Sequence, residues 1–125
     1  MILSKDELHA PLLAERDRLR EELASLDQQQ TEFVARAESE HAGYGNHLAD
    51  DATDTFEHQK HLSLRNSVER RLQAVEAALA RFECGEFGLC EQCGAEIDLA
   101  RLEAIPYTTL CLRCQRIKEM GAPRR

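Results

Sequence analysis

The segment CEQCGAEIDLARLEAIPYTTLCLRC, residues 90–114, contains four of the five cysteines of this 125-residue chain. It opens with one Cys-x-x-Cys pair and closes with a second, and 17 residues separate the two pairs. This spacing is typical of a zinc site, because each pair forms a tight knuckle that supplies one edge of a tetrahedron of sulfur ligands. The sequence therefore predicts one zinc ion with four ligands: Cys90, Cys93, Cys111 and Cys114.

The predicted site is structural and not catalytic. Four thiolates fill the coordination sphere of Zn²⁺ and leave no open position for a substrate. The segment from Phe87 to Met120 is also too short to form a sufficient hydrophobic core unaided, so it needs a metal. Two alternatives stay open at this point, namely iron held by the same sulfurs and four buried free cysteines.

The fifth cysteine, Cys84, lies six residues before the first predicted ligand. A free cysteine of this kind most often packs as a small buried hydrophobic residue. The alternative is an auxiliary metal ligand or a redox-sensing thiol, which would make the protein a redox- or zinc-responsive switch. A buried Cys84 side chain would support the packing role, whereas a Cys84 sulfur close to the other four sulfurs would support ligation.

The N-terminal half of the chain has the pattern of a long amphipathic helix. Its predicted start is a capping box at Ser4-Lys5-Asp6-Glu7, and Pro11 leaves open a later start near residue 10. Hydrophobic residues then recur at spacings of three, four and seven, at Leu12, Leu19, Leu23, Leu26, Phe33 and Ala37. Such a narrow seam is typical of a two-helix coiled coil.

A second amphipathic helix follows a break in the pattern at residues 41–47, where two glycines favour a turn. A second capping box is predicted at Asp54-Thr55-Phe56-Glu57, and the helix is expected to end near Cys84-Gly85. Its hydrophobic residues are again spaced four and three apart: Leu64, Val68, Leu72, Val75, Leu79 and Phe82. Two helices of similar length with matching seams predict an antiparallel hairpin.

We therefore predict a mainly α fold, with a long antiparallel helical hairpin (coiled coil) and a small four-cysteine zinc-finger domain with a short C-terminal helix. The predicted hairpin covers residues 1–84 with its tip near 42–54, the zinc finger covers 85–120, and 121–125 form a flexible tail. Only two long helices are available, which favours a projecting hairpin over a compact bundle. A dimeric four-helix bundle stays an alternative.

Composition and charge narrow the classes of function. The chain has 16 Lys and Arg against 23 Asp and Glu, and its net charge of −7 disfavours binding to nucleic acid through phosphates. A DNA-binding zinc finger is the alternative that this charge counts against. No apolar run approaches the roughly 20 residues of a membrane span, and the first residues lack the pattern of a signal peptide. The expected location is the cytoplasm, with no membrane partner.

The cysteine-rich end of the chain resembles the zinc finger of the DksA/TraR family. The resemblance rests on GEFGLCEQCGAEI at residues 85–97, RLEAIP at 101–106 and LCLRC at 110–114. It implies a bacterial transcription regulator without catalytic activity, which binds RNA polymerase and has no sequence-specific DNA binding. In that family the coiled coil enters the polymerase secondary channel, acidic residues at its tip approach the active-site region, and the zinc end docks on the channel rim.

The resemblance assigns the regulatory tip to Asp50, Asp51 and Asp54. Better-known members carry two aspartates three positions apart, followed two positions later by alanine. Asp51 and Asp54 keep this spacing, and Phe56 stands where the alanine is expected. The run from Asn46 to Asp50 is more similar to a Gram-positive branch of the family. Capping of a helix N-terminus is the alternative role of these carboxylates.

Some family members respond to guanosine tetraphosphate through basic residues on the second helix and just after the last cysteine. Here Gln115 follows Cys114, and Glu69 and Glu76 lie on the helix where positive charge is expected. Because these carboxylates repel a phosphate-rich ligand, we expect weak or absent dependence on this nucleotide.

Overall fold

The computed structural model describes residues 4–43 and 48–121 of the chain. A 3₁₀ turn at Asp6–Leu8 leads into four helices, which are α1 (His9–Gly43), α2 (Leu48–Glu83), α3 (Leu99–Ala104) and α4 (Leu112–Gly121). The mainly α fold and its short C-terminal helix are confirmed, whereas α3 was not predicted. Among the described residues, no helix is both long and apolar enough to cross a membrane.

The start of the first helix combines both signals in the sequence. Ser4 N–H donates to Glu7 Oε1 at 3.2 Å, and Glu7 N–H donates to Ser4 Oγ at 3.3 Å, as the capping box predicts. The chain then turns as a 3₁₀ helix from Asp6 and becomes α-helical at His9. Pro11 lies in the first turn of α1, where a missing backbone N–H costs little.

The start of α2 differs from the prediction. The helix begins at Leu48, so the capping box predicted at Asp54-Thr55-Phe56-Glu57 is wrong and these residues lie inside the helix. Residues 48–54 include neither glycine nor proline, and carboxylates near a helix N-terminus favour the positive end of its dipole. Nothing in this stretch therefore opposes an earlier start.

The end of α2 is the one predicted. The helix stops at Glu83 in a Schellman motif, in which Gly85 N–H donates to Phe82 O at 3.2 Å and Glu86 N–H donates to Arg81 O at 2.8 Å. The φ angle of Gly85 is 77°, a left-handed conformation that glycine adopts readily. This turn directs the chain from α2 into the cysteine-rich segment.

The chain divides into two compact units. The base unit comprises Met1–Asp17 and Gln73–Arg125, and the hairpin unit comprises Arg18–Leu72. The boundary predicted between residues 84 and 85 falls inside the base unit and stays a prediction.

In the hairpin unit, α1 and α2 pack in antiparallel directions. His61 Nε2 lies 2.8 Å from the carbonyl oxygen of Leu26, and Phe33 stacks on His58 with 5.0 Å between ring centroids. The residue numbers of the contacts on α2 thus decrease as those on α1 increase, as expected for antiparallel helices. Leu64, which was predicted in the seam, is 50% exposed. Among the residues of this unit whose burial the structure describes, the seam buries Leu19, Leu26, Val68 and Leu72.

Polar contacts flank this seam. Arg65 on α2 forms an ion pair with Asp27 on α1, and a second one with Glu69, one turn along its own helix, at 2.8 Å. The two carboxylates raise the pKa of Arg65, and the hydrogen bond to Asp27 is the largest cause. The guanidinium therefore links the two helices while remaining partly exposed.

The base unit has its own hydrophobic core, formed by the first turns of α1, the last turns of α2 and the cysteine-rich segment. Phe82 stacks on Phe87 with 3.9 Å between ring centroids, and His9 meets the edge of Phe82 at 4.8 Å. Fully or nearly buried side chains of this core are Leu8, Leu12, Val75, Ala78, Phe87, Ile97, Leu102 and Leu110. Cys90, which is 3% exposed, is buried together with this core.

Candidate metal centre

The first cysteine pair lies in a tight turn. Gly94 N–H donates to Cys90 O at 2.9 Å, and Cys90 N–H donates to Ala95 O at 2.8 Å. An isolated antiparallel bridge between Leu89 and Glu96 continues this pairing outward. Gly94 has a φ of 77°, which a residue with a Cβ adopts only at a cost. The turn forms the first predicted knuckle.

The second cysteine pair forms the N-terminal turn of α4. Cys111 directly precedes the helix, and Cys114 lies within its first turn. Gln115 N–H donates to Cys111 O at 2.9 Å, and the backbone N–H of Cys114 lies 3.5 Å from Cys111 Sγ. The second knuckle is thus the start of a helix, with a backbone N–H close to the sulfur of Cys111.

Folding brings the four predicted ligands together. Their sulfur atoms all lie within 4.8 Å of one another, and Cys93 Sγ and Cys111 Sγ are 3.8 Å apart. A hydrogen bond of 2.8 Å from Glu91 N–H to Thr109 O holds the two knuckles side by side. Zn–S bonds of about 2.3 Å in a tetrahedron imply sulfur separations of about 3.8 Å, so the arrangement fits a zinc ion. Within the described residues, no other group of potential ligands comes together in this way.

The thiols of this cluster differ in acidity. The backbone hydrogen bond from Cys111 is the largest cause that lowers the pKa of Cys90 to about 6, against burial, which raises it. The pKa of Cys114 is raised to about 12, first by its hydrogen bond with Cys90 and then by burial. Four adjacent sulfurs cannot all be thiolates without a cation, and a bound dication supplies the charge that stabilises them.

Two arginines that the sequence analysis did not single out bind the backbone next to the knuckles. Arg81 in the last turn of α2 donates from Nη2 to the carbonyl oxygen of Leu89 at 2.6 Å. Arg101 in α3 donates from Nε to the carbonyl oxygen of Leu110 at 3.0 Å. Each carbonyl belongs to the residue directly before the first cysteine of a pair. Arginine-to-carbonyl contacts have no periodic signal, so only the folded chain reveals them.

Cys84 lies outside the cluster. Its side chain is exposed, and its sulfur lies 3.3 Å from the carbonyl oxygen of Ala80, one turn earlier in α2. The predicted burial is wrong, because the helix ends at Glu83 and leaves Cys84 at its rim. The group of four neighbouring sulfurs does not include Cys84. A redox role for this thiol stays a prediction.

The aspartates assigned to the tip, Asp50, Asp51 and Asp54, fall in the first two turns of α2. The side chains of residues 39–54 lie outside the part of the chain that the structure describes. A regulatory role for the three carboxylates therefore stays a prediction.

Comparison with known proteins identifies the cysteine-rich segment. The family model described as the prokaryotic dksA/traR C4-type zinc finger matches residues 85–119. This range contains the four clustered cysteines, which fit the C4 description. The cluster and the family together identify zinc as the cofactor of this site.

Curated relatives are similar over part of the chain. The uncharacterized protein YteA of Bacillus subtilis is 38% identical over 68 residues, which make up 54% of this chain and 28% of YteA. The RNA polymerase-binding transcription factor DksA of Haemophilus influenzae is 36% identical over 72 residues, or 58% of this chain and 50% of that protein. The protein of the same name from Escherichia coli K12 is 41% identical over 61 residues, or 47% and 40%. The chain thus spans half or less of the length of these relatives.

A solved structure extends the likeness in fold to most of the chain. The structure of transcription factor DksA2 from Pseudomonas aeruginosa matches this chain with a TM-score of 0.73. The match covers 93% of this chain and 83% of the DksA2 chain. The two sequences are 23% identical, a level at which the match supports the fold alone. The fold of this chain is therefore one that a solved protein shares.

Proposed function

We propose that this chain, whose residues 85–119 match the model of the prokaryotic dksA/traR C4-type zinc finger, regulates transcription by binding RNA polymerase. The observation that carries this proposal is a four-cysteine centre that follows two long helices in the chain, together with relatives named as RNA polymerase-binding transcription factors. The proposed role requires no catalytic group, since a tetrathiolate zinc site has no open coordination position.

In this proposal the base unit is the docking part. Its four clustered cysteines hold zinc, and the metal supplies a cross-link between the two knuckles. The core behind them, with Phe87, Ile97 and Leu110 buried, supports the finger from the side of the long helices. A finger fixed in this way presents one defined surface to the rim of the polymerase secondary channel.

The hairpin unit is the part proposed to enter the secondary channel. Its buried seam is narrow, and its Arg65 and Asp27 are ion-paired beside that seam. Such a pair of helices keeps a polar surface, which suits a water-filled channel. Asp50, Asp51 and Asp54 are proposed to act at the polymerase active-site region, where carboxylates change the local electric field and compete for cations.

We further propose that guanosine tetraphosphate has little effect on this protein. Arg65, a cation close to Glu69 on α2, already pairs with Asp27 and Glu69. Gln115 donates from Nε2 to Glu119 at 2.7 Å and carries no charge. A nucleotide with several phosphates would therefore meet carboxylates where other members present cations. The test is polymerase binding with and without the nucleotide, and tighter binding in its presence contradicts this part of the proposal.

The main test is binding of the zinc-loaded protein to purified bacterial core RNA polymerase, with and without a competing secondary-channel factor. We expect binding that the competitor displaces and that a promoter DNA fragment leaves unchanged. The Cys93→Ser variant is the control for a disordered base. No binding by a folded sample with one zinc per chain contradicts the proposed function, and binding without competition contradicts insertion into the channel. Binding to the DNA fragment alone would favour the DNA-binding alternative.

A further inference from the structure

The peptide group between Leu110 and Cys111, which leads into the second knuckle, is held in place by hydrogen bonds to its carbonyl oxygen. The carbonyl oxygen of Leu110 accepts hydrogen bonds from Arg101 Nε at 3.0 Å and from Thr108 Oγ1 at 3.1 Å. The N–H at the other end of this peptide belongs to Cys111, whose sulfur lies 3.8 Å from Cys93 Sγ. Because the peptide group is planar and rigid, fixing its oxygen also fixes the direction of its N–H.

The first knuckle has the same arrangement. The carbonyl oxygen of Leu89 accepts a hydrogen bond from Arg81 Nη2 at 2.6 Å. The N–H at the other end of this peptide belongs to Cys90 and donates to Ala95 O at 2.8 Å. The orientation of the first ligand in each pair is thus coupled to one guanidinium group.

We propose that Arg81 and Arg101 are positioning residues of the zinc centre. They hold the peptide groups that directly precede Cys90 and Cys111, and so orient these ligands toward the other two sulfurs. At the second knuckle Arg101 acts together with Thr108, because both side chains donate to the carbonyl oxygen of Leu110. Outer-shell contacts of this kind commonly set metal affinity.

Arginine suits these two positions better than lysine does. The guanidinium of Arg81 reaches the carbonyl oxygens of both Glu86 and Leu89, and that of Arg101 reaches Leu110 O and, at 3.4 Å, Thr108 Oγ1. An ammonium group is a compact point charge and does not reproduce this planar fork. Both guanidinium groups also place positive charge near a tetrathiolate zinc site, whose net charge is −2.

The test is the affinity of the protein for Co²⁺, a spectroscopic substitute for zinc, in Arg101→Gln, Arg101→Lys and Arg81→Gln. Arg116→Gln on the exposed face of α4 is the matched control, because it removes the same charge from the same unit. We expect about tenfold weaker Co²⁺ binding in both glutamine variants, with partial rescue in Arg101→Lys and no change in the control. Affinities equal to that of the control overturn the proposal.

A second readout separates positioning from a general loss of stability. The sulfur-to-metal charge-transfer band of the Co²⁺-loaded protein depends on the arrangement of the four sulfurs around the metal. We expect this band to shift in Arg101→Gln, whereas a purely structural role leaves its position unchanged in the loaded protein. An unshifted band contradicts the role of Arg101.

If Arg101→Gln does not fold with Co²⁺, then Thr108→Val provides a milder change. Valine keeps the shape of threonine and removes only the hydroxyl that donates to Leu110 O. We expect weaker Co²⁺ binding than in Arg116→Gln, and equal binding overturns the proposal. The inference concerns the metal centre alone, and its tests do not depend on whether the protein binds RNA polymerase.

Discussion

Gly94 illustrates how a single residue limits the geometry of the metal centre. Its φ of 77° is left-handed, and no heavy atom lies within 4 Å of the place where a Cβ would stand. A larger residue would therefore meet no clash, yet it would still carry the backbone cost of this conformation, about 1–2 kcal/mol. Since Gly94 N–H closes the turn on Cys90 O, that cost falls on the first knuckle.

The two exposed cysteines of the base unit provide a matched pair of substitutions. Cys93→Ser is expected to lose zinc and to unfold the base unit, because three thiolates hold zinc poorly and the short segment depends on its metal. Cys84→Ser is expected to keep one zinc per chain, since Cys84 is exposed and outside the sulfur cluster. Zinc content and the thermal unfolding curve of each variant are the measurements. Tight zinc binding by Cys93→Ser, or its loss in Cys84→Ser, would show that the ligand set is different.

At the scale of a helix, the start of the first helix should depend on pH. The hydrogen bond with the Ser4 side chain is the largest cause that lowers the pKa of Glu7 from its ordinary value of 4.5. A carboxyl whose pKa is lowered by folding stabilises the folded state above its ordinary pKa. The stabilisation is lost as the pH falls from 4.5 through the lowered pKa.

An NMR titration of the Glu7 carboxyl measures this effect. We expect the pKa of Glu7 to rise toward 4.5 in Ser4→Ala, which removes the hydroxyl. Ser63→Ala, on the exposed face of α2, is the control and should leave the titration unchanged. An identical pKa of Glu7 in the wild-type protein and Ser4→Ala would contradict the capping box.

Substitution of two leucines in the hairpin unit tests which of them contributes to packing between its helices. Leu26 is 6% exposed and Leu64 is 50% exposed, although the sequence pattern placed both in the seam. We expect Leu26→Ala to lower the free energy of unfolding by about 2–3 kcal/mol, through lost burial and a residual cavity. Leu64→Ala should cost less than about 1 kcal/mol, because half of its surface is already in water. Urea unfolding of both variants is the measurement, and equal losses would mean that the seam runs elsewhere.

The helices also show which features a sequence pattern reveals. The spacing of α1 correctly predicted the burial of Leu12, Leu19 and Leu26. On α2 the pattern drifts, so that Ala78 is fully buried and Leu64 is half exposed, because 3.6 residues per turn do not match a strict heptad over many turns. The cysteine spacing correctly predicted the metal centre. Arg101 was missed, because its contact with Leu110 O depends on how α3 folds back on the second knuckle.

At the scale of the whole molecule, the chain uses two different means of stabilisation. The hairpin unit depends on a hydrophobic seam with flanking ion pairs, whereas the base unit combines a small core with a predicted metal cross-link. The net charge of −7 then acts over the entire surface and disfavours contact with phosphate backbones. This charge supports the proposed binding to a protein partner over binding to nucleic acid.

The proposed division of roles predicts that the tip acts without anchoring the complex. The double variant Asp51→Asn with Asp54→Asn should keep its affinity for core RNA polymerase and lose its effect on transcription, because docking is assigned to the base unit. Glu21→Gln with Glu32→Gln, two exposed positions on α1, removes the same charge and should leave both properties unchanged. Loss of binding in the aspartate variant would make the tip an anchor. Equal effects of the two double variants would mean that total charge matters and position does not.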